Sequence, residues 1–116
     1  RSLPRYRAPG LRAELRIRGR FARTGVEVLD FNRHGLAIRC LRPLPKDQIV
    51  FISLADGERS IDRVIGVVHN CMDQDGSFRC GIRFRTQSML QFDRELVDRQ
   101  LYALERSLAE GPDGKG

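Results

Sequence analysis

The stretch LRAELRIR, residues 11–18, alternates apolar and polar side chains without a break. Leu11, Ala13, Leu15 and Ile17 fall on one side, and Arg12, Glu14, Arg16 and Arg18 on the other. Successive side chains of a strand point to opposite faces, so a period of two predicts a strand with one face buried. The same pattern continues outward from this segment. Gly19 and Gly25 bracket a turn into a short strand at 26–29, and DFNRHG (30–35) reads as a tight polar corner before a third at 36–40. Pro43 and Pro45 stop any ladder in the next loop. A fourth strand follows at 49–54, with Asp56 and Gly57 marking its turn. Strands at 61–72 and 78–85 are joined through Asp75 and Gly76, a hairpin dipeptide. Short strands separated by turn signals predict a mainly β chain, a six-stranded antiparallel barrel that is closed or nearly so.

Residues 87–110 follow another rule. Leu90, Val97, Leu101, Leu104 and Leu108 recur mostly at three- and four-residue steps, with no Gly or Pro between them. That predicts one amphipathic helix, with Ser88 in the cap position and Gln91 three residues on. Such a helix covers an open end of the barrel, and its last turns are candidates for pairing with a partner helix. The 116 residues suit one domain with one core. The expected division is a flexible arginine-rich arm at 1–10, a barrel at 11–86, the helix at 87–110 and a disordered tail at 111–116.

Charge is unevenly spread. The net charge is +6, yet the first 23 residues hold eight arginines against Glu14 alone, a local +7. Only Lys46 and Lys115 are lysines. Arginine presents a flat donor fork that pairs bidentately with a phosphate or a guanine edge, which lysine cannot do. An anionic partner is therefore expected. No apolar run reaches the 18 or so residues that cross a bilayer, so membrane insertion is not expected. Three cysteines and no leader pattern argue against a secreted disulfide scaffold and set the expectation of a cytoplasmic protein with reduced thiols.

Two segments carry a family resemblance. RSLPR, from Arg1 to Arg5, is similar to the RxxxR motif of PilZ domains, and Asp30 to Gly35 resembles their [D/N]xSxxG motif. Leu44 with Pro45, and the CGIRF stretch from Cys80 to Phe84, resemble further landmarks of these bacterial domains. The likeness runs from Arg1 to about Leu108. It implies the PilZ-type split barrel and cyclic di-GMP as ligand, with no catalysis and no cofactor.

Local chemistry agrees with that implication. The ligand has two phosphates and two guanines, and arginine reads the guanine O6 and N7 edge and stacks on bases. Arg1 and Arg5 are the candidates for these contacts, with Arg7 contributing. Asp30 accepts from a guanine nitrogen or orients an arginine. Asn32 stands at the motif's serine position and reaches further. Gly35 serves either a positive φ or a close backbone approach, and Arg33 and His34 are possible contributors at the ligand edge. Arg7-Ala-Pro also resembles the stretch after the family's second arginine. That register puts Leu3 in the first arginine's place and impairs binding. The arm is expected to order on the ligand and so to signal to a downstream effector protein, from a monomer or homodimer. The alternative is a degenerate PilZ-like adaptor that binds proteins only.

Other chemistries find less support. His34, His69, Cys40, Cys71 and Cys80 lack the paired spacing of a metal site. A two-residue turn at Asp75 and Gly76 sets Cys71 across from Cys80 and His69 across from Ile82. That reads as reduced core thiols beside a half-buried histidine. No nucleophile elbow, P-loop or paired carboxylate appears, so an enzyme is not expected. A barrel for single-stranded nucleic acid needs exposed aromatic platforms. With no Trp and only two Tyr and six Phe, a nucleic acid polymer is not an expected partner.

Overall fold

In the computed structural model, which describes residues 4–110, the alternating segment becomes β1 (Arg12–Ile17). It is followed by β2 (Thr24–Asn32), β3 (Gly35–Cys40), β4 (Ile49–Ala55), β5 (Ser60–Gln74) and β6 (Ser77–Phe84). A 3-10 turn (Thr86–Ser88) then leads to α1 (Gln91–Glu110). The strands close a barrel in the order β1-β2-β3-β6-β5-β4. Every neighbouring pair is antiparallel, and β1 seals the circle against β4 from Arg12↔Ala55 to Ile17↔Val50. Closure leaves no long edge open to pairing with other chains. Arg1 and the tail at 111–116 lie outside the described residues.

Alternation decides what fills the barrel. Phe31, Leu36, Ile38, Val50, Ile52, Val64, Val68, Cys80 and Ile82 are all buried. Each large apolar side chain so buried contributes about 1.5–3 kcal/mol. α1 adds Val97, Leu101 and Leu104 to the same core, with Leu108 packed partly against it. This spacing is the expected helical stripe.

Two bulges alter the period where it matters. In β2 the register shifts between Val28 and Asp30, and in β5 between Val68 and Asn70. A bulge inserts one residue and so reverses which face the following residues take. Val28 and Phe31 thus both point inward, and Asp30, opposite Ala37, turns outward. Likewise Val68 and Cys71 both face the core, and Asn70 turns outward opposite Gly81.

Several expectations change accordingly. Cys71 does pair with Cys80, but Ile82 pairs with Val68, and His69 sits in the bulge, exposed. It is exposed rather than half-buried, because the uninterrupted alternation that turned it toward the core is broken. The corner at 30–35 is mostly strand: Asn32 pairs with Gly35, and only Arg33 and His34 form the turn. The helix starts at Gln91 rather than Gln87. Met89 closes the preceding 3-10 turn through its N–H to Thr86 O, and its own backbone is extended. Leu90 is left 78% exposed, outside the buried stripe. None of the described helices is long and apolar enough to cross a membrane.

Candidate functional site

The arm, expected to be flexible, is fastened to the barrel over its described part. Tyr6 and Phe31 exchange two backbone hydrogen bonds of 2.9 Å, an isolated antiparallel bridge. Ala8 is buried, and its carbonyl accepts the Leu11 N–H at 3.0 Å across the turn at Pro9 and Gly10. The arm therefore extends the line of β1 along β2, and Arg5 arrives beside Asp30.

Asp30 holds two arginines. Arg5 Nη1 donates to Oδ1 at 2.7 Å and Arg79 Nη2 to Oδ2 at 2.9 Å. The carboxylate is mostly covered while both guanidinium groups remain partly exposed. Charge-assisted bonds of this length fix direction as well as distance. Asp30 thus acts as a hub that orients two cationic forks without spending all their donors, since a guanidinium carries five.

Asn32 organises the turn. Its Oδ1 accepts the backbone N–H of His34 at 2.8 Å and of Gly35 at 3.1 Å, and its Nδ2 donates to Pro4 O at 3.2 Å. The first two bonds form an Asx-type turn; the third ties the arm down. Asn32 is the one buried polar residue among those described, and its role is to bind backbone. Gly35 answers the other open question. It has no positive φ, but a Cβ there would lie 2.2 Å from Ile82 O. Glycine is required by the close approach of β3 to β6.

These elements border an open pocket of about 440 Å³ lined by Arg5, Asn32, His34, Ala37, His69, Asn70, Arg79, Gly81, Ile82 and Arg83. That volume is within the usual range for small-molecule sites, roughly 300–1,000 Å³. Three guanidinium groups and two imidazoles line the pocket together with Ala37, Asn70 and Gly81. Gly81 also donates its N–H to Asn70 Oδ1 at 3.1 Å. Such a cationic lining fits an anionic guest.

The structure thus groups Arg5, Asp30, Asn32, Gly35 and His34 around one site. Arg7 is exposed and lines no part of the pocket, and Arg1 lies outside the described residues. Arg33 turns away: its guanidinium is 5.2 Å from the Tyr102 ring centroid on α1. Arg79, Arg83, His69 and Asn70 were missed. The first two had a signal, since in SFRCGIRF they alternate with Cys80, Ile82 and Phe84 and must face outward. The other two depend on a bulge that no residue type announces.

A family model for the PilZ domain matches residues 1–103, and the chain belongs to that family. Among solved structures it is similar to MrkH of K. pneumonia in complex with c-di-GMP, with a TM-score of 0.72 and 16% identity. That likeness covers 97% of this chain and 54% of MrkH. It is also similar to YcgR of Escherichia coli in complex with c-di-GMP, with a TM-score of 0.60 and 14% identity over 100% of this chain and 50% of that one. The chain spans about half the length of either. A search of the curated proteins finds no match.

Proposed function

We propose that this domain is a non-catalytic receptor for cyclic di-GMP. The observation that carries the reading is Asp30 holding Arg5 and Arg79 beside a cationic pocket. The two guanidinium groups present donor forks to guanine edges or phosphates. The PilZ membership and the dinucleotide bound in MrkH and YcgR support the choice of ligand.

Signalling follows from the arm in this reading. The arm ahead of the Tyr6–Phe31 bridge orders on the dinucleotide through Arg1 and Arg5, and the altered surface beside α1 is read by an effector protein. The test is isothermal titration with cyclic di-GMP, with GTP as control. Saturable binding is expected for the domain and none for Arg5→Ala or Asp30→Ala, with unchanged circular dichroism in both. Retained affinity in both variants overturns the site assignment.

A second reading, a protein-only adaptor, draws on the exposed Leu90 just before α1 and the exposed Phe92 and Leu96 within it. It requires silence in the same titration at low salt.

A further inference from the structure

Beneath the pocket, β5 and β6 carry two cysteines that face each other. Cys71 and Cys80 are direct cross-strand partners, counted back from the Gln74↔Ser77 pair at the turn. Hydrogen-bonded and non-hydrogen-bonded pairs alternate along an antiparallel ladder. From a two-residue turn this pair falls on a non-hydrogen-bonded position, where Cα atoms approach to about 4.5 Å. A disulfide accepts Cα separations of roughly 4.4–6.8 Å. Both residues are free thiols with their sulfurs 2.6 Å apart.

The two thiols differ in a useful way. Cys71 is half-buried, and the backbone N–H of Leu44 donates toward its Sγ at 3.5 Å. Cys80 is fully buried, and burial together with its bond to Cys71 pushes its pKa up. Cys40 on β3 lies beside them, its thiol also raised by burial. One sulfur is accessible to an oxidant and its partner is held in place to resolve the product.

We propose that Cys71 and Cys80 form a reversible redox pair, in which a hydroperoxide oxidises Cys71 and Cys80 resolves it as a cross-strand disulfide. The Cys71 thiolate attacks one peroxide oxygen. The S–O bond forms as the O–O bond breaks, and the departing hydroxide becomes water by taking up the proton that the thiol released on ionising. The sulfur has lost two electrons and is a sulfenic acid. Cys80 sulfur then attacks Cys71 sulfur, the S–O bond breaks, and hydroxide leaves with the Cys80 proton as a second water. With hydrogen peroxide the sum is two thiols and one peroxide giving one disulfide and two waters. A dithiol reductant reverses it by exchange. Asn70 and Gly81, adjacent to the two cysteines, line the pocket, so the bond would staple its lining. The pair itself is independent of which ligand the pocket takes.

The test treats the whole chain with hydrogen peroxide, then measures intact mass and counts thiols in denaturant. The expected result is a loss of two hydrogens, one thiol remaining of three, a Cys71–Cys80 link in the peptide map, and full recovery with dithiothreitol. Cys40→Ser should form the same link. Cys71→Ser, a change at a half-buried position, should form none. Three results overturn the proposal: a disulfide that persists in Cys71→Ser, oxygen added without hydrogen lost, or all thiols intact in the folded chain under peroxide that consumes them in the unfolded one. All three readouts concern thiols alone, so their failure is distinguishable from a failure of nucleotide binding.

Discussion

The backbone N–H of Arg33, at the tip of the β2–β3 hairpin, donates to the Glu105 carboxylate of α1 at 3.0 Å. The Arg33 guanidinium adds a long ion pair of 4.0 Å to the same carboxylate and lies over Tyr102. Asn32, which orders the arm and the turn, immediately precedes Arg33 in the chain. The candidate site and the helix are thus joined through one backbone peptide, and a change in the turn reaches α1 without crossing the barrel.

That link is testable by itself. Glu105→Ala removes a charged acceptor at a partly exposed position and should lower stability by about 1 kcal/mol. A urea melt measures it. If the hairpin transmits ligand binding to the helix, cyclic di-GMP should slow hydrogen exchange in α1 of the parent chain and not of Glu105→Ala. Equal protection in both would place the transmission elsewhere.

Gly35 is constrained by space rather than by φ. The Cβ of Gly35→Ala would meet Ile82 O at 2.2 Å and Arg83 Cα at 3.2 Å, both backbone atoms of β6. Neither can rotate away, so β3 and β6 must separate, at a cost of about 1–3 kcal/mol. Gly10→Ala, with nothing within 4 Å, is the matched control and should be close to neutral. Denaturant midpoints compare the two, and equal midpoints would contradict the packing argument.

Asn32 makes separable contributions. Asn32→Ala loses all three backbone bonds in a buried site, and each unsatisfied group costs about 1–3 kcal/mol. Asn32→Ser keeps a short acceptor for the turn but lacks the reach to Pro4. The serine variant should therefore fold nearly as well and release the arm. Limited proteolysis ahead of Tyr6 should be faster in Asn32→Ser than in the parent, at similar melting temperature.

How much of this was legible beforehand depended on periodicity. The barrel and the stripe of Val97, Leu101 and Leu104 follow from residue types repeating at two or at about 3.6, because burial on one face enforces that pattern. Asp30 and Asn32 were legible through their motif. The outward turn of Asp30 and Asn70 was not, because a bulge leaves composition unchanged and shows only as a shift in pairing. Arg79 is silent in the sequence motifs for a related reason. Its partner Asp30 lies 49 residues away along the chain, and only closure of β3 onto β6 brings them together. The helix starts later than its Ser88 and Gln91 spacing predicts because Met89 packs on the core from an extended backbone.

The hub at Asp30 yields the sharpest expectation. Asp30→Asn keeps size and shape but removes the charge that holds Arg5 and Arg79. Both pairs are partly exposed, so folding stability should fall little, by about 0–1 kcal/mol for each. Ligand affinity should respond much more, because two guanidinium groups lose their fixed direction and binding must then order them. A weakening of at least about tenfold corresponds to 1.4 kcal/mol or more. Arg79→Ala should weaken binding by a similar factor although it stands outside both sequence motifs. Combining Arg79→Ala with Asp30→Asn should lose less than the sum of the two, since each removes part of the same arrangement. Titration calorimetry on the four proteins decides it. Strict additivity would mean that Asp30 acts directly on the ligand and does not serve to orient Arg79.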